Sequence, residues 1–364
     1  MSKSTKSKSA SPPPPPDVSG SPPAAGSPAA IAGPTTEEAL VVDTDQIDDN
    51  ADADSSYGTS IASSSASLAS SILKFRQENG RTYHSYKEGK YILPNDELEN
   101  DRLDLQHHVW ALTYDGALYT CPAGKDKPLK RVLDAGTGTG IWAVDFADDH
   151  PETTVIGVDL SPIQPAFVPP NLSFYIDDLE EPWTFSDPFD FIHVRMLTGS
   201  LADWPNFFES CFENLEPGGW VEMGDIVFPT ESDDNTLPSE TALYKWNQYV
   251  LKAARILGRD LDSAKLYREQ LTAKGFVNIS ERIYKWPINA WAKDKKYKEM
   301  GLWSEQNFTE GLYGLSVGLF TRALGWSAQE LEVFLVDVRK DLKNKNIHGY
   351  WPIWVVSAQK PPRV

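Results

Sequence analysis

Cysteine and long apolar runs are the scarcest features of this 364-residue sequence. Its two cysteines, Cys121 and Cys211, lie in neither a Cys-x-x-Cys nor a Cys/His ligand spacing. We therefore expect two reduced thiols and no metal site. No apolar run approaches the ~18 residues that a transmembrane helix needs, and no apolar segment follows the lysines near the amino terminus. These absences predict a protein without a membrane span, not secreted, and located in the cytoplasm, the nucleus or both.

Basic residues are also few. The chain has 34 lysines and arginines against 52 aspartates and glutamates, which gives a formal net charge of −18. Binding along a phosphate backbone depends on clustered Lys and Arg. We therefore expect no direct binding to nucleic acid.

The first 65 residues differ in composition from the rest. They are mainly Ser, Pro, Ala, Gly and Asp, include five consecutive prolines at 12–16, and have almost no aromatic residue. Such a segment buries too little apolar surface to offset its chain entropy, so we predict a disordered tail over 1–65. The proline run could dock a protein partner or could be plain solvated chain.

Helical patterns dominate the segment 66–125, which we interpret as a helical amino-terminal cap. One helix is predicted to begin within SSILKFRQENG (70–80). A second is predicted over 95–112, with Asn95 as its cap. Its apolar stripe would consist of Leu98, Leu105, Val109 and Leu112.

Strands and helices alternate from about residue 126 onward. Predicted strands lie at 131–136, 154–160, 172–178, 189–197 and 220–228, with helices at 140–150 and 203–219 between them. This alternation predicts an α/β domain over 126–364 with a mainly parallel sheet. The last third adds predicted helices at 239–257, 263–274, 294–323 and 328–343. Ser327 and Glu330 form a capping box before the last of these, and we expect the two final strands to form an edge hairpin.

The stretch VLDAGTGTG, residues 132–140, is typical of a strand followed by a nucleotide-binding loop. A dinucleotide loop needs G-x-G-x-x-G, but Ile141 occupies the place of its third glycine. A Walker loop, G-x-x-x-x-G-K-[ST], is absent. The loop therefore fits both common phosphate-binding patterns poorly.

Acidic residues end the first three predicted strands. Asp134 ends the first, Asp159 the second, and Asp177 and Asp178 the third. Carboxylates accept hydrogen bonds from hydroxyl and amino groups, and glycines allow a ligand to approach the backbone closely. The pattern suits a ligand with a ribose diol and two amino groups. Asp159 could instead cap the turn at Ser161, and one of the paired aspartates could be solvated.

This arrangement resembles the S-adenosylmethionine (SAM) site of class I methyltransferases. The resemblance implies that Asp134 lies near the methionine amino group, that Asp159 binds the ribose hydroxyls, and that Asp177 or Asp178 reads the adenine amine. The cofactor loop would consist of Gly136, Thr137, Gly138 and Gly140. The implied fold is a Rossmann-like sheet of seven strands with a helical amino-terminal extension and helical insertions in the carboxyl-terminal third.

A more specific resemblance covers about residues 80–360. The stretches GTGTGIWAVDFADDHP, VIGVDLSPIQPAFVPPN, FDFIHVRMLTGSLADW and LEPGGWVEMGD are similar to those of fungal LaeA-like methyltransferases. The resemblance implies a role in fungal secondary metabolism. The chain would be either a tailoring enzyme or a regulator.

Two histidines are candidates for a general base, which a hydroxyl acceptor would need. His107 follows Asp104 by three residues on the second predicted helix, so Asp104 could orient it toward the acceptor. His193 lies near the carboxyl end of the fourth strand, where acceptors approach. Either could instead be a packed structural histidine. Arg195 could meet the carboxylate of SAM or pair with a nearby acid.

The leading hypothesis is a SAM-dependent methyltransferase that transfers a methyl group to an oxygen or nitrogen of a natural product, either a small molecule or a peptide. The alternative is a LaeA-type regulator of secondary metabolism and development that acts through protein partners, which its tail could bind, and that could methylate proteins. A SAM-binding scaffold without turnover is a third reading. Several tryptophans, Trp286 and Trp351 among them, could line an apolar acceptor cleft or pack in the core.

Overall fold

The computed structural model describes Met1 and residues 33–44, 75–87 and 89–363. The chain divides into two units, Met1–Gly33 and Pro34–Val364, and the second contains the fold. The proline run at 12–16, most of the predicted tail and the start of the first predicted helix lie outside the described residues.

The described residues contain eleven strands and seven α-helices. The strands are β1 (Thr35–Thr36), β2 (Arg76–Glu78), β3 (Arg81–Tyr83), β4 (Arg131–Ala135), β5 (Thr154–Asp159), β6 (Leu172–Ile176), β7 (Phe189–Arg195), β8 (Leu215–Ile226), β9 (Glu231–Ser232), β10 (Val277–Pro287) and β11 (Gly349–Gln359). The helices are α1 (Glu97–Thr113), α2 (Ile141–Asp149), α3 (Trp204–Asn214), α4 (Ala242–Ile256), α5 (Tyr267–Ala273), α6 (Lys295–Ala323) and α7 (Ala328–Lys343), with a 3₁₀ turn at Ser263–Leu266.

A sheet of seven longer strands confirms the predicted Rossmann-like fold. Its order is β10-β11-β8-β7-β4-β5-β6, and two two-residue strands extend it, β1 beside β10 and β9 beside β11. The strands from β8 to β6 are parallel, and β11 is antiparallel to both of its long neighbours. Because parallel strands end at one edge, the residues that follow β4, β5, β6 and β7 meet there.

Three apolar clusters hold the layers together. Helix α2 packs over β4 and β5, while α3 and α5 pack against β4, β7 and β8. The third cluster joins α1, α4, α6 and α7 to β10 and β11. Its members include the fully buried Trp110, Trp286 and Trp351. The cap and the carboxyl-terminal helices therefore share one core, which places them beside the loop edge of the sheet.

The first predicted helix is wrong where the structure describes it. Residues 76–83 form a β-hairpin in which Arg76 pairs with Tyr83. Its two-residue turn is Asn79-Gly80, with φ values of 51° and 78°. Asn-Gly with positive φ at both positions is the preferred tight turn between antiparallel strands. This local signal outweighs the helical periodicity that we assigned.

The second predicted helix is confirmed, but its cap is not, and neither is the place of Leu98 in its apolar stripe. Asp96, not Asn95, is the N-cap, and its side chain accepts the backbone N–H of Glu99 at 3.1 Å. Leu98 is 72% exposed, whereas Glu99 and Arg102 are buried. These two form an ion pair at 2.7 Å. Val109 is buried, and Leu105 and Leu112 pack against the same core, so the stripe is confirmed except at Leu98. The buried face of α1 also carries these paired polar groups.

Part of the predicted disordered tail is ordered. Thr35 and Thr36 pair in parallel with Arg282 and Ile283 of β10. Further along, the N–H of Lys293 donates to the carbonyl of Val41 at 2.7 Å. The prediction is therefore wrong for residues 34–44, because a free edge of β10 supplies backbone partners that composition does not reveal.

The carboxyl-terminal third follows the predicted order with local differences. The capping box is confirmed, since Ser327 and Glu330 satisfy each other's backbone N–H groups. The last two strands pair antiparallel but form no hairpin, because α6 and α7 separate them. They also do not form the edge, because β1 lies outside β10. Strand β8 starts at Leu215, so the segment 216–219 belongs to a strand and not to the end of a helix. No helix within the described ranges has the length and apolar character required to cross a bilayer.

Candidate functional site

The glycine loop connects β4 to α2 at the loop edge of the sheet. Gly136, Gly138 and Gly140 have φ values of 78°, 57° and 83°, a region that side chains disfavour. A Cβ on Gly140 would lie 2.4 Å from the ring of Phe174. A Cβ added to Gly138 would have its nearest contact at 3.7 Å, so at this position only the positive φ requires glycine. Gly140 caps α2 without a side-chain bond, which leaves backbone N–H groups at the helix start available to a ligand.

Asp134 and His193 form a buried pair beside this loop. The strands β4 and β7 bring them into register, and the His193 Nδ1 lies 2.7 Å from Asp134 Oδ1. The Thr137 hydroxyl donates to Asp134 Oδ2 at 2.5 Å. The His193 ring also stacks on Trp142, with ring centroids 3.7 Å apart. Burial lowers the pKa of His193, although Asp134 opposes this shift.

Asp159 lies at the end of β5 and receives two backbone donors. The N–H of Gly138 donates to its Oδ2 at 2.8 Å, and the N–H of Ser161 donates to its Oδ1 at 2.9 Å. Burial raises the pKa of Asp159 to about 6, and the nearby charge of Asp134 adds to this shift. Asp159 therefore does cap the following turn, as the second interpretation expected, while it also lines the cleft.

The paired aspartates after β6 have different environments. Asp178 is buried and forms an ion pair with Lys90. Asp177 is exposed, and its Oδ1 accepts the backbone N–H of Asp178 at 2.8 Å. Both line the cleft.

Arg195 is a largely enclosed cation at the end of β7. Its Nη2 donates to His107 Nδ1 at 2.9 Å, and its guanidinium lies over the ring of Trp110, 5.7 Å from the centroid. No carboxylate of the described residues forms an ion pair with it. Burial lowers its pKa to about 10. A half-buried guanidinium that forms no ion pair with the protein favours a carboxylate on a ligand.

His107 does not line the cleft, and the expected role of Asp104 is wrong. Because His107 Nδ1 accepts from Arg195, its Nε2 carries the proton and donates to Asp145 Oδ2 at 3.0 Å. Burial, followed by the charge of Arg195, lowers the pKa of His107 to about 3. Asp104 instead accepts the hydroxyl of Thr139 at 2.6 Å. The acid that pairs with His107 is therefore Asp145 of helix α2. The spacing along α1 had predicted Asp104 for this role.

These groups line an open cleft of about 1090 Å³ at the carboxyl ends of β4, β5, β6 and β7. Five carboxylates line it, against two cations, Lys90 and Arg195. The acids are Asp134, Asp159, Asp177, Asp178 and Glu180. This excess of negative charge suits a cationic ligand.

A second cavity of about 760 Å³, the chamber, adjoins the cleft. Its walls are mainly apolar and include Ile226, Phe228, Trp246, Leu261, Phe308 and Leu319. Tyr91, Leu103, Gln106 and Met196 line both cavities and define the junction between them. Neither Trp286 nor Trp351 lines the chamber, since both pack in the core. Sequence patterns missed the chamber because its residues come from five separate segments.

Comparison with known proteins places the chain among methyltransferases by sequence. Residues 112–281 match the model of a methyltransferase domain family. The chain is 39% identical to Methyltransferase pytC of Aspergillus terreus, over 82% of this chain and 92% of that protein. It is 38% identical to Secondary metabolism regulator LAE1 of Cochliobolus heterostrophus, over 78% and 94%. A solved SAM complex of Phosphoethanolamine N-methyltransferase 2 from Haemonchus contortus aligns with a TM-score of 0.40 and 19% identity, covering 76% of this chain and 55% of that one.

The sheet order, the glycine loop and the acids after three strands define a class I, SAM-dependent methyltransferase. The chain belongs to the LaeA-like family of fungal secondary-metabolism methyltransferases.

Proposed function

We propose that the protein transfers a methyl group from SAM to an oxygen or nitrogen of a natural product held in the chamber. The observation that carries this proposal is the position of a mainly apolar cavity that shares four lining residues with an acidic, glycine-lined cleft. A cationic cofactor and an apolar acceptor would then occupy adjoining spaces of matching polarity.

The residues of the cleft fit SAM. The glycine loop at 136–140 allows close approach of a ligand to the backbone. Arg195, which has no acid partner in the described chain, would bind the methionine carboxylate. Asp159 would accept the ribose hydroxyls, and Asp134 would lie near the methionine amino group. Asp178 or Asp177 would read the adenine amine.

Bound SAM supplies an electrophilic methyl group on a sulfonium. The main task of this chain is alignment, which can contribute about 7–11 kcal/mol. The junction residues Tyr91, Leu103, Gln106 and Met196 separate the two spaces and would limit the direction of approach. Met196 has φ of 57°, a costly conformation for a residue with a side chain, and it lines both cavities.

His193 stays a predicted general base for acceptors that must lose a proton. Its Nδ1 is bonded to Asp134, which leaves Nε2 as the acceptor in the neutral ring. It lines the cleft and not the chamber. An acceptor that is already ionised, or a neutral amine, would not need it.

The regulator remains the second candidate, since relatives at 38% and 36% identity carry the name of secondary metabolism regulators. Such a protein could act through partners of the amino-terminal tail. A chamber without a lining carboxylate offers little to a protonated lysine of a protein substrate.

One labelling experiment separates the candidates. Purified protein and methyl-labelled SAM are incubated with a fungal mycelial extract that has been split into a small-molecule and a protein fraction. We expect label in the small molecules, and none with Asp159→Ala. Label in protein alone would favour the regulator, and no label in either fraction would contradict methyl transfer. Deletion of residues 1–32 should leave small-molecule labelling intact, but a regulator should lose its partners.

A further inference from the structure

The junction contains a buried polar side chain that the rest of the protein does not use. Gln106 projects from α1, is 8% exposed and lines both the cleft and the chamber. Its carboxamide makes no hydrogen bond to any residue that the structure describes. Neither polar atom of this carboxamide is sealed from the space of the two cavities, so both are available to a ligand atom at that place.

The charges of the two cavities differ sharply. Whereas the cleft has five carboxylates, the chamber has one charged lining residue, Arg102. The charge of Arg102 is neutralised by Glu99 at 2.7 Å, and its other terminal nitrogen donates to Asn307 at 2.9 Å. A charged group that entered the chamber would lose its hydration without gaining a free counterion, which is costly. The chamber therefore fits an uncharged molecule.

The hydrogen-bonding capacity of Gln106 indicates which chemical group of the ligand it binds. A carboxamide presents an accepting oxygen and a donating nitrogen side by side. A hydroxyl both donates and accepts, so it can satisfy the two together, whereas an ammonium can only donate. The neighbouring Tyr91 hydroxyl also has no hydrogen-bond partner among the described residues, which leaves a second polar group at the same place.

We propose that Gln106 binds the reacting hydroxyl of the acceptor at the junction. The acceptor is then an uncharged, mainly apolar small molecule whose body fills the chamber and whose hydroxyl faces the cleft. This inference rests on the proposed function and, within it, excludes an acceptor that carries a positive charge.

Three naphthalene probes of similar shape test the assignment. 2-Naphthol carries a hydroxyl, 2-methylnaphthalene has none, and 2-naphthylmethylamine carries a positive charge at neutral pH. Binding of each to the full chain is measured through the fluorescence of the protein's tryptophans, with the demethylated product S-adenosylhomocysteine at saturation. The variants are Gln106→Leu and, as the matched control, Gln306→Leu, whose side chain is exposed and lines neither cavity.

We expect Gln106→Leu to weaken 2-naphthol about fivefold to tenfold, which is the effect of one net hydrogen bond. Binding of 2-methylnaphthalene should be unchanged or tighter, and the control should match the wild type for every probe. Equal weakening of both neutral probes, or no change for 2-naphthol, would overturn the role of Gln106. Tighter wild-type binding of the amine than of 2-naphthol would overturn the neutral acceptor.

Binding of S-adenosylhomocysteine, titrated separately for each protein, distinguishes the two proposals. Wild-type protein that binds S-adenosylhomocysteine but none of the probes would overturn the chamber as the acceptor site and leave the cofactor site standing. Failure to bind S-adenosylhomocysteine would contradict the proposed function itself. Retained binding by Gln106→Leu shows that this variant is folded.

Discussion

The carboxylate of Asp159 offers the sharpest test of the cofactor site. It lies in the cleft between two backbone donors, and we propose that it also accepts the ribose hydroxyls. Loss of a hydrogen bond to a charged group costs about 1.5–3 kcal/mol. We therefore expect Asp159→Ala to weaken binding of SAM and of S-adenosylhomocysteine by about 10- to 150-fold. Isothermal titration calorimetry measures both affinities.

The pH dependence of the same titration gives an independent signature. Burial raises the pKa of Asp159 to about 6 in the ligand-free protein. Hydroxyl donors favour the ionised form, so the affinity should increase with pH through 6. If only the ionised form binds, affinity at pH 5 should be about tenfold weaker than at pH 7. Asp159→Asn, which cannot ionise, should bind weakly with a flat profile from pH 5 to 8.

The free energy of unfolding should decrease as pH rises through 6, whereas the affinity increases. A carboxyl whose pKa is higher in the folded than in the unfolded state stabilises the fold while it is protonated. That contribution is complete below the unfolded pKa of about 3.8 and is lost as pH rises through about 6. Asp225, whose pKa is also raised to about 6 by burial, lines neither cavity.

Two results would refute the reasoning about Asp159. One is a wild-type affinity that varies less than twofold between pH 5 and 7, and the other is Asp159→Ala binding within twofold of wild type. If the affinity of Asp159→Asn still depends on pH, another titrating group such as Asp225 causes that dependence.

Three further variants test single contacts. Gly140→Ala should lower the thermal midpoint, because φ of 83° costs about 1–2 kcal/mol and the added Cβ would lie 2.4 Å from Phe174; an unchanged midpoint would contradict this. Ser327→Ala should reduce the free energy of unfolding in urea by about 0.5–2 kcal/mol through loss of the capping box, and S-adenosylhomocysteine affinity should not change. His107→Phe should weaken S-adenosylhomocysteine about threefold to tenfold, because Arg195 loses its acceptor. This loss should be constant from pH 5 to 8, since the pKa of His107 is about 3, and equal affinity would show that His107 does not position Arg195.

Local patterns were sufficient where one strand or one cap decides the structure. The alternation of apolar strands with helices predicted a mainly parallel sheet, because a buried parallel strand must be apolar on both faces. The glycine loop and the acids that end β4, β5 and β6 predicted the cleft, because parallel strands end at one edge. The capping box at Ser327 was readable because both of its partners lie within four residues.

Contacts between distant segments decided the features that local sequence patterns did not predict. His107 received Asp145 instead of Asp104, and Arg195 received His107, because α1 packs over the start of α2 and the end of β7. Residues 34–44 became ordered because β10 had an open edge. The chamber, with Gln106 at its junction, exists because helices far apart in the chain share a core with β10 and β11. Spacing along a chain predicts which groups lie on one face of an element, but packing determines which element that face meets, and with it the substrate that the enzyme can hold.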